Sequence, residues 1–454
     1  MLSKLWTAGA GEASSRALPT PLTPSASSEV AVARERQSIG ERLEQLKGIG
    51  PGFDHLRIGL ALSIFTWHSF SISYGQDYAS TLPGFPVPVL LAALLPMFFA
   101  LSGFLIMGSA LRTNDLKTFI TFRVLRIVPA LFTEITISAL ILGPLLTALP
   151  LKAYFLSPMF FEYFGSLIGR VRFSLPGLFL DNPAPELVNF ALWTVGPEIL
   201  CYIFVSLLML TGIFRSPRGM FAITIGYAAV AITAGLLFGS EVTGEVLPSK
   251  LLIFCFFIGN LFYLYRYQIR FSGAFAVLSF LGAMALVYLS QRTGQEVWSY
   301  LAIPGFVYGV VVIGLSSLPP LPFFNRGDYS YGLYIYGFPI QQAVAHFLPH
   351  HREWYWNWPI ALPVTLLFAI CSWHLIEKPV LGLRKKILGA RTREAPATRR
   401  RSRKVAIFVA LGLYGAFVLD SANVLPVRPG AKMMLYGFGM YQYKDTDERP
   451  SFLQ

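Results

Sequence analysis

The chain has 454 residues, 54% of them hydrophobic and only 13% charged, with a mean hydropathy of +0.55. Soluble domains carry about 25% charged residues, so a soluble multidomain protein is excluded and a polytopic membrane protein is implied. The formal charge of +13, from 37 Lys and Arg against 24 Asp and Glu, would suit a nucleic-acid binder, but on so apolar a chain it is more simply a membrane-orientation signal.

In chain order, residues 1–50 are rich in Ala, Ser, Pro and charge and lack the apolar core of a signal peptide, which predicts a disordered cytosolic tail. Apolar runs follow at 56–75, 88–111, 127–149, 187–212, 220–239, 249–265, 272–290, 297–316, 328–348, 358–377 and 405–422. A helix rising ~1.5 Å per residue needs runs of this length to cross a ~30 Å hydrocarbon layer, and their continuity excludes alternating membrane strands. The predicted fold class is therefore all-α: a polytopic membrane protein with eleven candidate spans, ten of them within 51–390. A basic cytosolic linker at 391–404, an extra, eleventh C-terminal transmembrane helix at 405–422 and a short extracytoplasmic tail at 423–454 complete the expected organisation. With a cytosolic amino terminus, 26 Lys and Arg fall on the inner side and ten on the outer, Arg57 lying within the first span. The loop 150–186, with Pro158, Pro176, Pro183 and Pro185, is long enough to be a lid or substrate loop. Cys201, Cys255 and Cys371 are widely spaced within apolar runs and support neither a disulfide framework nor a metal site.

Ionisable residues inside spans are costly and so are functional candidates. Arg57 and His68 are eleven positions apart, three helical turns plus ~20° and about 16 Å, so both point to one face. An imidazole can act as general base on a hydroxyl, whereas a guanidinium can only hold an anion or polarise a carbonyl. The bland alternative has Arg57 snorkelling to headgroups and His68 bonding a neighbouring helix. Ser102 and Gly103 permit close approach of a helix or a ligand. Arg123 and Arg126, three apart at an expected helix start, form either a phosphate clamp or ordinary positive-inside anchors. Glu134 has no evident partner. Glu198 follows the helix-breaking Gly196-Pro197 and is expected near the outer end of its span, where it would orient an imidazole, bind a sugar hydroxyl or pair with a cation. Asp328, expected to cap a helix, and Glu377-Lys378-Pro379 read as structural. His346, His350 and His351 cluster on an outer loop without supporting carboxylates, a weak metal signal.

Taken in order, Arg57 to His68, Phe99 to Phe104 with its Ser-Gly, Arg123-x2-Arg126-x2-Pro129, Leu192-Trp193 to Glu198, Ser330-Tyr331 to Tyr334 and Glu377-Lys378-Pro379 resemble the acyltransferase-3 family of bacterial integral-membrane acyltransferases. The resemblance spans about 50–390 and is closest to members that modify exopolysaccharide, O-antigen or lipo-oligosaccharide. It implies a ten-helix core in the bacterial cytoplasmic (inner) membrane that takes an acyl group, usually acetyl, from cytosolic acyl-CoA to a saccharide hydroxyl outside. On that resemblance His68, Arg57 and Glu198 are the catalytic candidates. Arg123, Arg126, Ser102 and Gly103 are the candidates for holding acetyl-CoA, and Trp193 and Tyr331 for contacting the acceptor. No metal is implied. Many members carry a Ser and two consecutive acidic residues where this chain has Thr194 and Glu198-Ile199, which leaves a two-carboxylate mechanism without its second group. Fused relatives continue past an eleventh helix into an esterase-like domain, whereas about 32 residues follow here and hold no Gly-Asp-Ser motif.

The expected function is thus a CoA-dependent O-acyltransferase, with acyl-CoA, a saccharide acceptor and the lipid bilayer as partners, polysaccharide-assembly proteins as further candidates and no nucleic acid. The rivals are a saccharide or lipid-intermediate transporter or flippase, which would bind no CoA, and a non-catalytic scaffold in which Arg57 and His68 are dispensable.

Overall fold

A computed structural model of the protein describes residues 37–48, 50–75, 86–238, 249–319 and 327–391. The described residues are mostly helical and contain no named strand, and each of the first ten expected spans is built around a helix. In chain order these are α1 (Ile39–Gln45), α2 (Gly52–Tyr74), α3 (Val87–Thr113), α4 (Leu116–Ile137), α5 (Leu151–Leu156), α6 (Pro158–Tyr163) and α7 (Val195–Thr211). They continue as α8 (Pro217–Phe238), α9 (Ser249–Leu264), α10 (Gly273–Thr293), α11 (Val297–Gly314), α12 (Ser330–Phe347), α13 (Trp354–Ser372) and α14 (Lys378–Arg391). Six helical stretches among the described residues are long and apolar enough to cross a membrane, two of them reaching 31 residues because α4 and α13 run on through π-turns. The protein is a multi-pass membrane protein. The expected eleventh span at 405–422 and the tail 423–454 lie outside the described residues, as do residues 392–404 of the linker.

Two expectations change. The third span begins at Leu116 rather than 127, because Asp115 caps it, its carboxylate accepting the Thr118 amide at 2.7 Å, while Asn114 ends the preceding helix with φ of 48°. Arg123, Arg126 and Pro129 therefore sit inside α4, not at its mouth. Residues 37–48, assigned to the disordered tail, fold instead: Ser38 and Glu41 form a reciprocal capping box, and α1 buries Ile39 and Leu43. Arg42 bonds the Leu315 carbonyl at 3.1 Å and Ser317 at 2.8 Å, and the amides of Ile39 and Gly40 bond the carbonyls of Ile269 and Arg266, so α1 straps the α9–α10 turn to the end of α11. The long loop is folded and packs onto the bundle as a cap. Tyr154 donates to the Ala139 carbonyl at 2.7 Å, and Leu175, Leu178, Phe179 and Val188 pack against Ile127, Leu131 and Ile135 of α4.

Lipid supplies no hydrophobic force between helices, so close packing must hold them together. The central crossing of α3 with α9 is built on reciprocal glycines: a Cβ on Gly103 would overlap the Phe256 carbonyl, and one on Gly259 the Ala100 carbonyl. On the other side α2 and α12 run parallel. Arg57 meets Asp328 at one end, Phe65 packs on Gly337 further along, and Gln341 donates to the Phe65 carbonyl at 2.9 Å and to Ser69 at 2.6 Å. Cys201 and Cys255 are buried thiols without a disulfide.

Leucine at Gly103 should push α3 off α9 and cost about 1–3 kcal/mol. The measurement is thermal unfolding in detergent, with Gly282→Ala, where an added Cβ meets nothing within 4 Å, expected to melt like wild type.

Candidate active site

An arginine cannot lose its proton at ordinary pH, so inside a bundle it must find anions, dipoles or aromatic faces. Arg126, from α4, donates to Asp328 at 2.6 Å and to Glu377 at 3.4 Å, and lies over the Tyr331 ring at 5.7 Å. The same Asp328 oxygen accepts from Arg57 at 3.3 Å, and its other oxygen accepts from the Ser330 hydroxyl at 2.5 Å. Glu377 is buried and also accepts from Ser372 at 3.2 Å. A single chain of charge thus joins α2, α4, the approach to α12 and the π-turn after α13. Asp328 lies ahead of the cap residue Tyr329 and serves as an ion-pair bridge rather than as the expected helix cap.

Beside this chain stands a second group. Arg123 donates to Ser109 at 3.1 Å and faces the rings of Phe119 and Tyr202 at 5.7 and 6.0 Å. Tyr202, one turn after Glu198 on α7, donates its hydroxyl to the Glu198 carboxylate. Glu198 is within electrostatic reach of Arg123 and Arg126. It stands in the first turn of α7 and belongs with the arginines, the cation pairing being the one of the three expected roles that the geometry favours. The spacing of Glu198 and Tyr202, four apart on one helix face, was a readable signal for that pair.

His68 lies three turns along α2 from Arg57, 9% exposed, with its ring edge-on to Phe338 at a centroid distance of 5.1 Å. Phe338 is ten residues beyond Asp328 on the parallel α12, so Arg57 and His68 do share a face, and that face looks at α12. Among the described residues no hydrogen bond reaches a ring nitrogen of His68, although its neighbour Ser69 is tied to Gln341. Phe190 packs on Phe338 at 6.4 Å, and Thr194 and Tyr334 share a 2.8 Å hydroxyl contact. The short helical turn Phe190–Thr194 thus forms one wall beside the imidazole. Its placement comes from Glu134, which the sequence left without a partner: Asn189 bonds the Glu134 carboxylate at 2.9 Å and the Ile335 carbonyl of α12 at 2.8 Å.

Four of the expected site residues occupy other surroundings. Gly103 is consumed by the α3–α9 crossing, with Ser102 partly exposed beside it. Trp193 is 8% exposed within the main apolar core. Tyr331 is a ring beneath Arg126 whose hydroxyl contacts the Ile127 carbonyl at 3.4 Å. Missed altogether were Tyr202, Ser109 and the roles of Asp328 and Glu377, although charge balance alone required carboxylates for two intramembrane arginines.

The acyltransferase domain family matches residues 51–376, most of the chain and all of this constellation except Glu377, which follows the last matched residue. The chain belongs to the acyltransferase-3 family. Two relatives agree with the assignment. The chain is 26% identical over 348 residues to an O-acetyl transferase of Shigella phage Sf6, covering 72% of this chain and 95% of that one. It is 24% identical over 372 residues to nodulation protein 10 of Rhizobium leguminosarum bv. viciae, covering 78% and 99%. No solved structure matches. This acyltransferase-3 protein is therefore a membrane-embedded acyltransferase that transfers groups other than aminoacyl.

Replacing Asp328 by Asn leaves Arg57 and Arg126 facing a neutral amide and should destabilise the solubilised protein by on the order of 2 kcal/mol. In a double-mutant cycle with Arg126→Gln, thermal unfolding should show the two changes costing less together than their separate sum. Strict additivity would mean that the bridge carries no coupling.

Proposed function

We propose that this protein is an O-acyltransferase of the bacterial cytoplasmic membrane. It moves an acyl group, acetyl first among the candidates, from cytosolic acyl-CoA to a hydroxyl of an envelope or exported saccharide. The observation that carries the reading is His68, a buried imidazole whose ring nitrogens have no hydrogen-bond partner among the described residues, on the same helix face as Arg57 and about 16 Å further along. A structural histidine in a dry bundle would be expected to satisfy at least one nitrogen. The name of the phage relative supports acetyl as the group.

The arginine-rich end suits the phosphates of the donor, and the long pantetheine arm suits the distance from there to His68. The excess of Lys and Arg on one side of the expected spans supports a cytosolic position for that end and for the amino terminus. His68 takes the proton of the acceptor hydroxyl as its oxygen attacks the thioester carbonyl. The tetrahedral intermediate expels the CoA thiolate, and the protonated imidazole returns the proton to that sulfur. The apolar wall of Phe338 and Phe190 limits competing hydrolysis by keeping water from the thioester. Glu198, held by Tyr202, acts on the donor side by balancing the arginines, and Arg57 acts through Asp328.

The deciding test is transfer of label from radiolabelled acetyl-CoA to extracted envelope glycans by the purified, lipid-reconstituted protein. Wild type should label glycan, and His68→Ala should lose at least about a hundredfold in rate without a change in melting temperature. Transfer undiminished by His68→Ala would overturn its role. Folded wild type that binds no CoA would favour the transporter reading.

A further inference from the structure

Arg384, on α14, lies beyond the matched residues 51–376 and carries no motif, yet its side chain turns back into the site. It donates to the Phe122 carbonyl at 2.9 Å and stacks over the Phe122 ring at 5.1 Å, one turn before Arg126 on α4. It is within electrostatic reach of Arg123 and Arg126. The three guanidinium groups differ in what they already hold. Arg126 is neutralised by Asp328 and Glu377. Arg123 and Arg384 have no carboxylate at ion-pair distance among the described residues, and each has a buried Nε without a hydrogen-bond partner. The carboxylate within reach of Arg123, that of Glu198, accepts from Tyr202.

Two like charges drawn together with buried donors unsatisfied are costly, and an anion arriving between them removes both costs. We propose that Arg384 is a further donor-binding residue and forms with Arg123 the cradle for a phosphate of the acyl donor, while Arg126 serves as the structural ion-pair partner of Asp328 and Glu377. This rests on the acyl-CoA reading above and sharpens it by exchanging the paired arginines of α4 for one arginine from each of α4 and α14. Both guanidinium groups are braced on phenylalanine rings, Phe119 and Phe122, that are three apart on α4 and keep the two forks oriented.

The test is equilibrium binding of CoA and of pantetheine, which lacks phosphate, to the detergent-solubilised full chain. Wild type, Arg384→Gln and Arg384→Lys are compared at matched melting temperature, with and without phosphatidylglycerol in the micelle. Arg384→Gln should weaken CoA about tenfold, the loss of one charge-assisted contact, and leave pantetheine unchanged. Arg384→Lys should recover part of the loss, and acyl transfer should show a raised KM with kcat retained. Wild-type affinity for CoA in folded Arg384→Gln would overturn the cradle while leaving the donor reading intact. Absence of CoA binding in wild type would overturn both. Should Arg384→Gln fail to fold, Arg384→Lys decides: wild-type CoA affinity there, or equal losses for CoA and pantetheine, overturns the cradle. Competition between phosphatidylglycerol and the Arg384 site with no phosphate-dependent CoA binding would assign the cradle to a lipid headgroup and overturn the proposal.

Discussion

Four guanidinium groups gather near one end of an apolar bundle, and the fold is organised by how they are neutralised. Asp328 is the hinge of that arrangement, since one of its oxygens serves both Arg57 and Arg126. Without it, α2 and α4 would each turn a cation toward the start of α12 with no anion there, Arg57 keeping only the exposed Asp54 and Arg126 only Glu377. Burying such a charge costs several kcal/mol, so the bridge fixes where α12 begins relative to α2 and thereby sets the register of everything further along.

That register matters because α2 and α12 run parallel. Once Arg57 is opposite Asp328, Phe65 falls against Gly337, His68 against Phe338, and Ser69 within reach of Gln341. The helix that carries the imidazole is thus held by hydrogen bonds immediately beside it, while the imidazole itself stays uncommitted. Rigid support around an unsatisfied group is what a general base requires, because its lone pair must be available and its position fixed. The opposite wall is set by a buried amide and a carboxylate, Asn189 and Glu134, that hold Phe190–Thr194 against α12.

Helix packing elsewhere follows the rule for lipid-embedded bundles. Gly103 and Gly259 allow α3 and α9 to meet backbone to backbone, and this explains a motif that resembled a ligand-binding Ser-Gly. Close approach of a helix and close approach of a ligand require the same small residues, so sequence could not separate them. In the same way a cap, an ion-pair bridge and a catalytic carboxylate all look like one acidic residue at the edge of an apolar run, as at Asp328 and Glu198.

The sequence by itself determined where the long apolar helices that the structure describes lie along the chain, the all-α class and the shared face of Arg57 and His68. These are one-dimensional properties: apolar length against bilayer thickness, and a 3.6-residue period. The capping box at Ser38 and Glu41 and the Asp115 cap were also present as local signals, although apolarity alone set the boundaries one turn or more away from them. Only the tertiary structure decided which carboxylate meets which arginine, because Arg126 lies 202 residues from Asp328 and 251 from Glu377. It alone moved Glu198 to the arginines, left His68 unbonded and brought Arg384 back onto Phe122. Pairing of buried charges is decided by where helices cross, and a crossing is a property of several surfaces packed at once, which no single stretch of chain records.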